Sequence, residues 1–433
     1  MNFYQKYQSN SNLTQTAFPK LSILVMAFAL AAMLFAEGMA QEEWSRFRGP
    51  NGTGLSGDDS LPKEVKEENV QWKLKLPGTG SSSPVIWKER LFLTSYHDKQ
   101  LIVEGIDLQT GKSIWQTPFE LDPPRVHRLN SFASSTPAVD DKHVYVTFAD
   151  SKSSQLVALD HDGNVVWKKD LGYFQSQHGY GASPIVYDDQ VILFHSQQAD
   201  RVRRGAKPGS SHVIALSCEN GDEQWRTPLK TTRACYAVPA IVKNENGEPL
   251  LVSCNTGDGF FGLNPTTGKL IWSTEPFRMR TVASMVCAGD LLLGSCGSGG
   301  GGNYLVAARM NSDSQREPTR AYSIQKANYV PTPIAVNEQL YLFTDKGIVR
   351  CFELDTGKLV WEKRMADGFS GSPVSANGLI YVVDDSGELL VLDADKKSDA
   401  VSKFSLGESS SATPAIANGQ LLIRTDSTLF CID

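Results

Sequence analysis

Five short segments combine guanidinium, imidazole and phenol groups with few carboxylates. They are Arg125, His127, Arg128 and Asn130; His178 and Tyr180; Arg233 and Tyr236; Arg278 and Arg280; and Asn328 and Tyr329. Arginine presents forked donors that match carboxylate or phosphate, while Tyr, His and Asn add stacking and further hydrogen bonds. Brought to one place, these groups would hold an anionic or sugar-like ligand. Left apart, they would form a solvated rim whose arginines pair with neighbouring acids. A sixth stretch, Gln197 to Ser211, adds Arg201, Arg203, Arg204 and Lys207. No catalytic set can be assigned, because there is no nucleophile elbow and no phosphate-binding glycine loop opening a helix. All seven histidines lie between His97 and His212, yet no pair has ligand spacing on one strand face, so no metal site is expected. Asp160-His161-Asp162-Gly163-Asn164 starts like a calcium loop but lacks the glutamate at the twelfth position, so a tight turn is expected there. The glycine-rich Ser298 to Asn303 lies between strands and is expected as a flexible loop.

The scaffold that must position these groups is repetitive. A small residue, a proline, an alternating apolar strand, a turn and a second strand recur. The copies start at Ser83-Pro84, Thr136-Pro137, Ser183-Pro184, Val238-Pro239, Thr332-Pro333, Ser372-Pro373 and Thr413-Pro414, with a degenerate copy near Ala283-Ser284. A second phrase closes most copies. It runs from Ile106 to Trp115, Leu159 to Trp167, Leu216 to Trp225, Leu263 to Trp272 and Leu354 to Trp361. Each phrase reads strand, turn, strand: glycine supplies the positive φ, Asp or Asn bonds the turn backbone, and Trp offers a large packing face. Four short strands in about 45 residues are a β-propeller blade. The last copy supplies three strands before Asp433, and Val70 to Leu76 is an orphan strand carrying Trp72. An all-β, eight-bladed propeller, closed by pairing that N-terminal strand with the last blade, uses every strand.

This topology sorts the loops. With the first strand of each blade innermost and descending, the Thr-Gly-Lys turns fall on the bottom. The links between blades fall on top, together with the loops joining second to third strands. The five reactive segments are the links into blades 2 to 6. The links into blades 1, 7 and 8 are small: Gly80-Ser81-Ser82, Ser370-Gly371 and Ser409-Ser410-Ser411.

Composition sets the outer limits. The 433 residues carry 42 Lys+Arg against 48 Asp+Glu, a net charge of −6, and 41% hydrophobic residues. That apolar content excludes wholesale disorder, and the acidic balance argues against nucleic acid as a partner. Residues 21 to 35 are uncharged and apolar, Lys6 and Lys20 precede them, and Gly38-Met39-Ala40 offers a cleavage site. Residues 1–40 therefore read as a signal peptide, 41–69 as an extended lead segment and 70–433 as the propeller. The expected location is periplasmic or secreted, with no membrane span after cleavage and a monomeric state. The seven cysteines have no CxxC spacing and mostly sit within apolar strands, where buried thiols are expected rather than bridges.

The phrase Asp107 to Trp115 resembles the tryptophan-docking motif of the pyrroloquinoline-quinone (PQQ) repeat, and Asp355 to Trp361 is similar but two residues shorter. The resemblance covers roughly Val70 to Asp433. Trp44-Ser45-Arg46-Phe47-Arg48-Gly49-Pro50-Asn51-Gly52 also resembles the opening of exported PQQ-like propellers. The repeat occurs in quinoprotein alcohol and glucose dehydrogenases, which use PQQ and calcium, and in the scaffold lipoprotein of outer-membrane β-barrel assembly. The sequence lacks the adjacent cysteines and the insertions of the first group. It has Gln41 where the second would have an acylated cysteine. The resemblance thus implies a binding or scaffold propeller with no cofactor, whose partner is an envelope or extracellular protein or a small anionic or sugar-like ligand. A PQQ-dependent oxidoreductase acting on alcohols or sugars is the alternative.

Overall fold

The computed structural model describes residues 43–433 apart from 124–126, 128–129, 245–246 and 397–398. The expected signal peptide lies outside the described residues, as do Arg125 and Arg128. Eight antiparallel sheets succeed one another along the chain. Their innermost strands are Val85–Trp87, Ala138–Val139, Ile185–Tyr187, Ala240–Lys243, Val286–Ala288, Ile334–Val336, Val374–Ala376 and Ala415–Ala417. The blade without a proline opens at Val286, as its degenerate sequence implied.

Burial explains the strand patterns. Middle strands such as Gln100–Asp107 are covered on both faces by neighbouring blades, so residues 101–106 are continuously buried. Outer strands such as Val70–Lys75 pack on one face only and alternate half-buried and exposed residues. The bottom turns form as their chemistry requires. In blade 1 the Asp107 carboxylate accepts the Thr110 N–H at 2.8 Å and hydroxyl at 2.7 Å. Gly111 adopts φ +64, and a Cβ there would lie 2.4 Å from the Trp72 ring. Trp72 stacks on that glycine and donates its indole N–H to the Leu108 carbonyl at 3.1 Å. Trp115 and Trp167 repeat the arrangement on His161 and Cys218 of the next blades. Blade 5 uses Tyr322 in the same role, donating its hydroxyl to the Leu354 carbonyl over Gly357. Asp160 likewise caps a turn, accepting the N–H groups of Asp162 and Asn164.

The ring is closed by Val70–Lys75, which pairs antiparallel with Thr428–Ile432 and sets Trp72 opposite Cys431 and Leu74 opposite Leu429. Arg424, fully buried, reinforces this seam by donating to the Ser82 and Thr94 carbonyls of blade 1 at 3.2 and 2.5 Å. Blade 7 gains a fifth strand, Leu55–Ser56, parallel to its innermost one. All seven cysteines are free thiols, and every one but the half-buried Cys287 is buried.

Candidate functional site

The small residues that precede the repeat prolines form the waist of the central channel. The Ser83 N–H donates to Thr136 Oγ1 at 3.0 Å, and the Thr136 N–H to Ser183 Oγ at 2.9 Å. Beyond a break, Val238 donates to Ser284 (3.1 Å), Ser284 to Thr332 (3.0 Å) and Thr332 to Ser372 (2.9 Å). Ser372 then donates to Thr413 (3.0 Å), and Thr413 returns to Ser83 (3.1 Å). Each blade thus hands a backbone N–H to a hydroxyl of the next. The break falls between Ser183 and Val238, whose side chain has no hydroxyl to accept. All eight residues of this crown line a cavity of about 510 Å³ that opens at the top face.

The inter-blade links wall the cavity above the crown. Of the groups singled out in the sequence, His127, Asn130, His178, Tyr236, Arg280 and Tyr329 reach its lining. The His127 and His178 rings meet edge to face, 5.2 Å apart. Burial, with the nearby Arg280 and His127 charges, pulls His178 down to about 4, so it stands neutral at pH 7. Asn130 locks its link by donating to the His178 and Tyr180 carbonyls at 2.8 and 3.2 Å. The Tyr236 hydroxyl donates to the Gly179 carbonyl at 3.0 Å and meets Ser176 Oγ at 2.7 Å. Arg280 donates to Gln177 and Gln198 at 3.3 and 3.2 Å, and its buried Nε has no partner. The facing arc is small and hydroxylated, with Ser81, Ser370 and Ser411, and the glycine-rich loop contributes Ser298 and Gly299 to the rim.

The other singled-out groups are not brought to the cavity. Tyr180 turns inward, packing on Phe174 at 4.8 Å between blades, where its hydroxyl finds no partner. Arg233 faces Asp200 at 3.6 Å. Arg278 is exposed outside the cavity, and its backbone N–H donates to the Tyr304 hydroxyl at 2.9 Å. Asn328 is fully buried and structural, bonded to Ser295 and to the Pro331 carbonyl. Arg201, Arg203, Arg204 and Lys207 are exposed on the blade 3 loop.

The lead segment supplies groups that sequence reasoning passed over. The Trp44 and Ser45 carbonyls accept N–H groups from Ile86 of blade 1 and Val139 of blade 2, at 2.9 and 2.8 Å. Arg46 donates to the Pro239 carbonyl of blade 4 at 2.5 Å, and Arg48 to the Pro373 carbonyl of blade 7 at 3.2 Å. Asn51 exchanges two hydrogen bonds with Ile241. The segment therefore crosses the channel beneath the crown, with Phe47 in the cavity lining. Among the described residues the strap covers the channel on the side away from the links, which leaves a cup. Neither buried arginine has a carboxylate within 4 Å among the described residues, and each Nε is unpartnered. Burial draws both guanidinium groups down to about 9. The sequence signal was present in the run Trp44 to Gly52, but charge on an unpaired lead reads as solvated until its long-range contacts are known.

Among the described residues the cavity lining offers no ligand set for calcium. Calcium takes six to eight oxygens, carboxylates prominent among them. Asp345 is the one carboxylate in the cavity lining, and its two oxygens accept the Tyr329 and Val330 N–H groups at 2.8 and 3.0 Å. Burial pushes that carboxyl above its usual range. Among the described residues no group of three His, Cys, Asp or Glu side chains could hold a metal ion.

Known proteins place the fold. A family model described as outer membrane protein assembly factor BamB, built on the PQQ-type repeat, matches residues 99–345 and 345–433. The chain is 22% identical over 342 residues to outer membrane protein assembly factor BamB of Yersinia pestis, covering 75% of this chain and 67% of that protein. It is 25% identical over 257 residues to quinoprotein alcohol dehydrogenase PedH of Pseudomonas putida, covering 54% of this chain and 40% of the enzyme. It thus spans less than half of that enzyme. The crystal structure of BamB from Moraxella catarrhalis superposes with a TM-score of 0.61 at 16% identity, over 84% of this chain and 96% of that one, a likeness of fold alone. The eight-bladed ring, its docked tryptophans and the family match over most of its length agree: the chain belongs to the PQQ-repeat propeller family described as outer membrane protein assembly factor BamB.

Proposed function

We propose that this chain is an exported, non-catalytic binding or scaffold propeller of the cell envelope, whose top-face cup receives a segment of a protein partner or a small anionic ligand. The observation that carries the reading is the cup itself. It is covered below by the lead segment, lined by hydroxyls and backbone-bonded polar groups, and rimmed by Arg280, His178, Tyr236 and Tyr329. Such a site offers recognition without a nucleophile, a paired acid and base, or a metal ligand set. Relatives named for outer membrane protein assembly support a role in holding envelope proteins. No helix among the described residues is long and apolar enough to cross a membrane. The quinoprotein reading has a relative in its favour but no ligand set for calcium among the described residues.

The test is a binding screen of the purified protein against envelope proteins, acidic sugars, and PQQ with calcium. A partner whose binding is weakened by Arg280→Gln supports the proposal. Dye-linked oxidation of alcohol or glucose that depends on PQQ and calcium would overturn it.

A further inference from the structure

The crown has a polarity that its hydrogen bonds impose. Seven hydroxyls (Ser83, Thr136, Ser183, Ser284, Thr332, Ser372 and Thr413) each accept a backbone N–H from the preceding blade. None of them donates a hydrogen bond among the described residues. A hydroxyl has one hydrogen to give and two lone pairs. Each spends one lone pair in the ring and keeps its hydrogen and the other lone pair, so every one of the seven cavity-lining hydroxyls still has a proton to donate.

Charge beneath the crown has the matching sign. Arg46 and Arg48 donate to Pro239 and Pro373, the residues that directly follow the crown positions Val238 and Ser372. Two buried guanidinium groups therefore bond one residue beyond the crown, Arg48 next to the Ser372 hydroxyl and Arg46 next to Val238 at the break, with no carboxylate partner among the described residues and an unpartnered Nε each. A buried charge without a counter-charge is costly, and an unsatisfied buried donor calls for an explanation. Above the crown stands Arg280, again with an unpartnered Nε. The one carboxylate in the lining, Asp345, spends both oxygens on backbone N–H groups.

Shape narrows the class further. Eight residues joined by bonds of about 3 Å make a ring too wide for one small oxyanion to reach every hydroxyl, and a cavity of about 510 Å³ holds far more than one such group. Donors spaced round a circle match acceptors spaced round the rim of a compact body. We propose that the crown binds a polyol-sized polyanion, a small molecule carrying several phosphoryl, sulfuryl or carboxylate groups around a compact core, with Arg46 and Arg48 beneath it and Arg280 on its upper edge. The proposal rests on the cup being the binding site and adds the identity of the donors and the class of ligand.

The experiment is calorimetric titration of the folded full chain, in about 0.15 M salt, with three probes: inositol hexakisphosphate, neutral myo-inositol and inorganic phosphate. Saturable one-to-one binding of the first, at least a hundredfold tighter than either other probe, is expected. If inorganic phosphate binds as tightly, the site recognises a single oxyanion and the polyanion assignment falls. A hydrogen bond to a charged group contributes about a tenfold change in affinity or more. Thr332→Val and Ser372→Ala should each weaken binding by about tenfold, and Val238→Thr, which adds an eighth hydroxyl, should tighten it. A quadruple variant with Arg201, Arg203, Arg204 and Lys207 replaced by Gln should bind nearly as the parent does. Binding lost in that variant and unchanged in the crown variants would assign the polyanion to the exposed loop and overturn the proposal. Binding lost with Arg280→Gln but unchanged in the crown variants would overturn the crown while leaving the cup as the site. No saturable binding at all would overturn the crown and leave the protein-partner reading to its own test.

Discussion

The hydroxyl crown makes a prediction whose sign separates two accounts of the propeller waist. Thr332 and Val238 occupy equivalent positions, and both are buried, at 1% and 6% exposure. Exchanging them one at a time, Thr332→Val and Val238→Thr, changes a hydroxyl for a methyl at nearly constant volume. If the waist is held by apolar packing, the first exchange should stabilise the protein and the second should destabilise it. The bonds predict the reverse. Thr332→Val strands the Ser284 N–H, which now donates at 3.0 Å, and a stranded buried donor costs about 1–3 kcal/mol. The added methyl recovers less than about 0.8 kcal/mol, so a net loss of about 1–2 kcal/mol is expected. Val238→Thr gives the Ser183 N–H its missing acceptor, a gain of about 1 kcal/mol that offsets the lost methyl. The result should lie between no change and a stabilisation of about 0.5 kcal/mol. Unfolding entropy for a chain of this length is about 0.8 kcal/mol/K, so the two variants should separate by about 1–3 °C in calorimetric Tm. Urea unfolding at pH 7.5 supplies the free energies directly. Equal stabilities, or Thr332→Val the more stable of the two, would refute the reasoning.

Other expectations follow from particular contacts. His195 and His212 lie opposite each other in adjacent strands of blade 3, and burial first, then neighbouring positive charge, lowers them to about 3 and about 4. An unfolded histidine titrates near 6.5, so below that pH the unfolded chain binds more protons. Stability is therefore full above about pH 6.5 and falls as pH drops towards the folded values, by up to about 1.4 kcal/mol per pH unit for each histidine. Urea midpoints should be level from pH 8 to 7 and fall from pH 6 to 4.5, and, with His178 also lowered to about 4, His212→Gln should reduce that fall by about a third. Gly163→Ala would place a Cβ 2.5 Å from the Trp115 ring at φ +86, so a loss of about 3 kcal/mol is expected in equilibrium unfolding; a loss below about 1 kcal/mol would deny that the stacking is tight. Deleting residues 41 to 76 removes the closing strand with Trp72 and the channel segment, and should give aggregation or loss of cooperative melting. A truncated protein that melts like the full chain would exclude closure by this strand.

The blades were legible in the sequence because each is written locally. The Asp107-to-Trp115 phrase specifies a turn and a docking side chain within ten residues, and the small-residue–proline starts count the blades; Tyr322 in the place of Trp in blade 5 was not legible until its contact with Leu354 was known. The sorting of links to one face followed from strand order, so His127, His178, Tyr236 and Arg280 were found together. Whether a side chain on a link turns into the cup or between blades depends on its neighbours in three dimensions. Tyr180 and Tyr236 looked equivalent, yet the first fills a gap beside Phe174 and the second meets Ser176. Arg233 was claimed by Asp200, a residue of another loop. Arg46 and Arg48 were the least legible, because their acceptors lie 193 and 325 residues away. The crown residues were noticed as punctuation before proline, and only the closed ring gives their hydroxyls a common direction.

The strap across the channel also ties together blades that are not neighbours. Trp44, Ser45, Arg46 and Arg48 bond to blades 1, 2, 4 and 7 in turn, within five consecutive residues. Five residues of backbone reach at most about 17 Å when fully extended, and the Arg46 and Arg48 side chains carry the bridge on to blades 4 and 7. Repeat proteins ordinarily gain or lose units by duplication with little penalty, since each unit meets only its neighbours. A ninth blade here would widen the bore and pull carbonyls away from both guanidinium groups. The strap thus acts as a calliper on the ring, coupling units that in other repeat proteins meet only their neighbours.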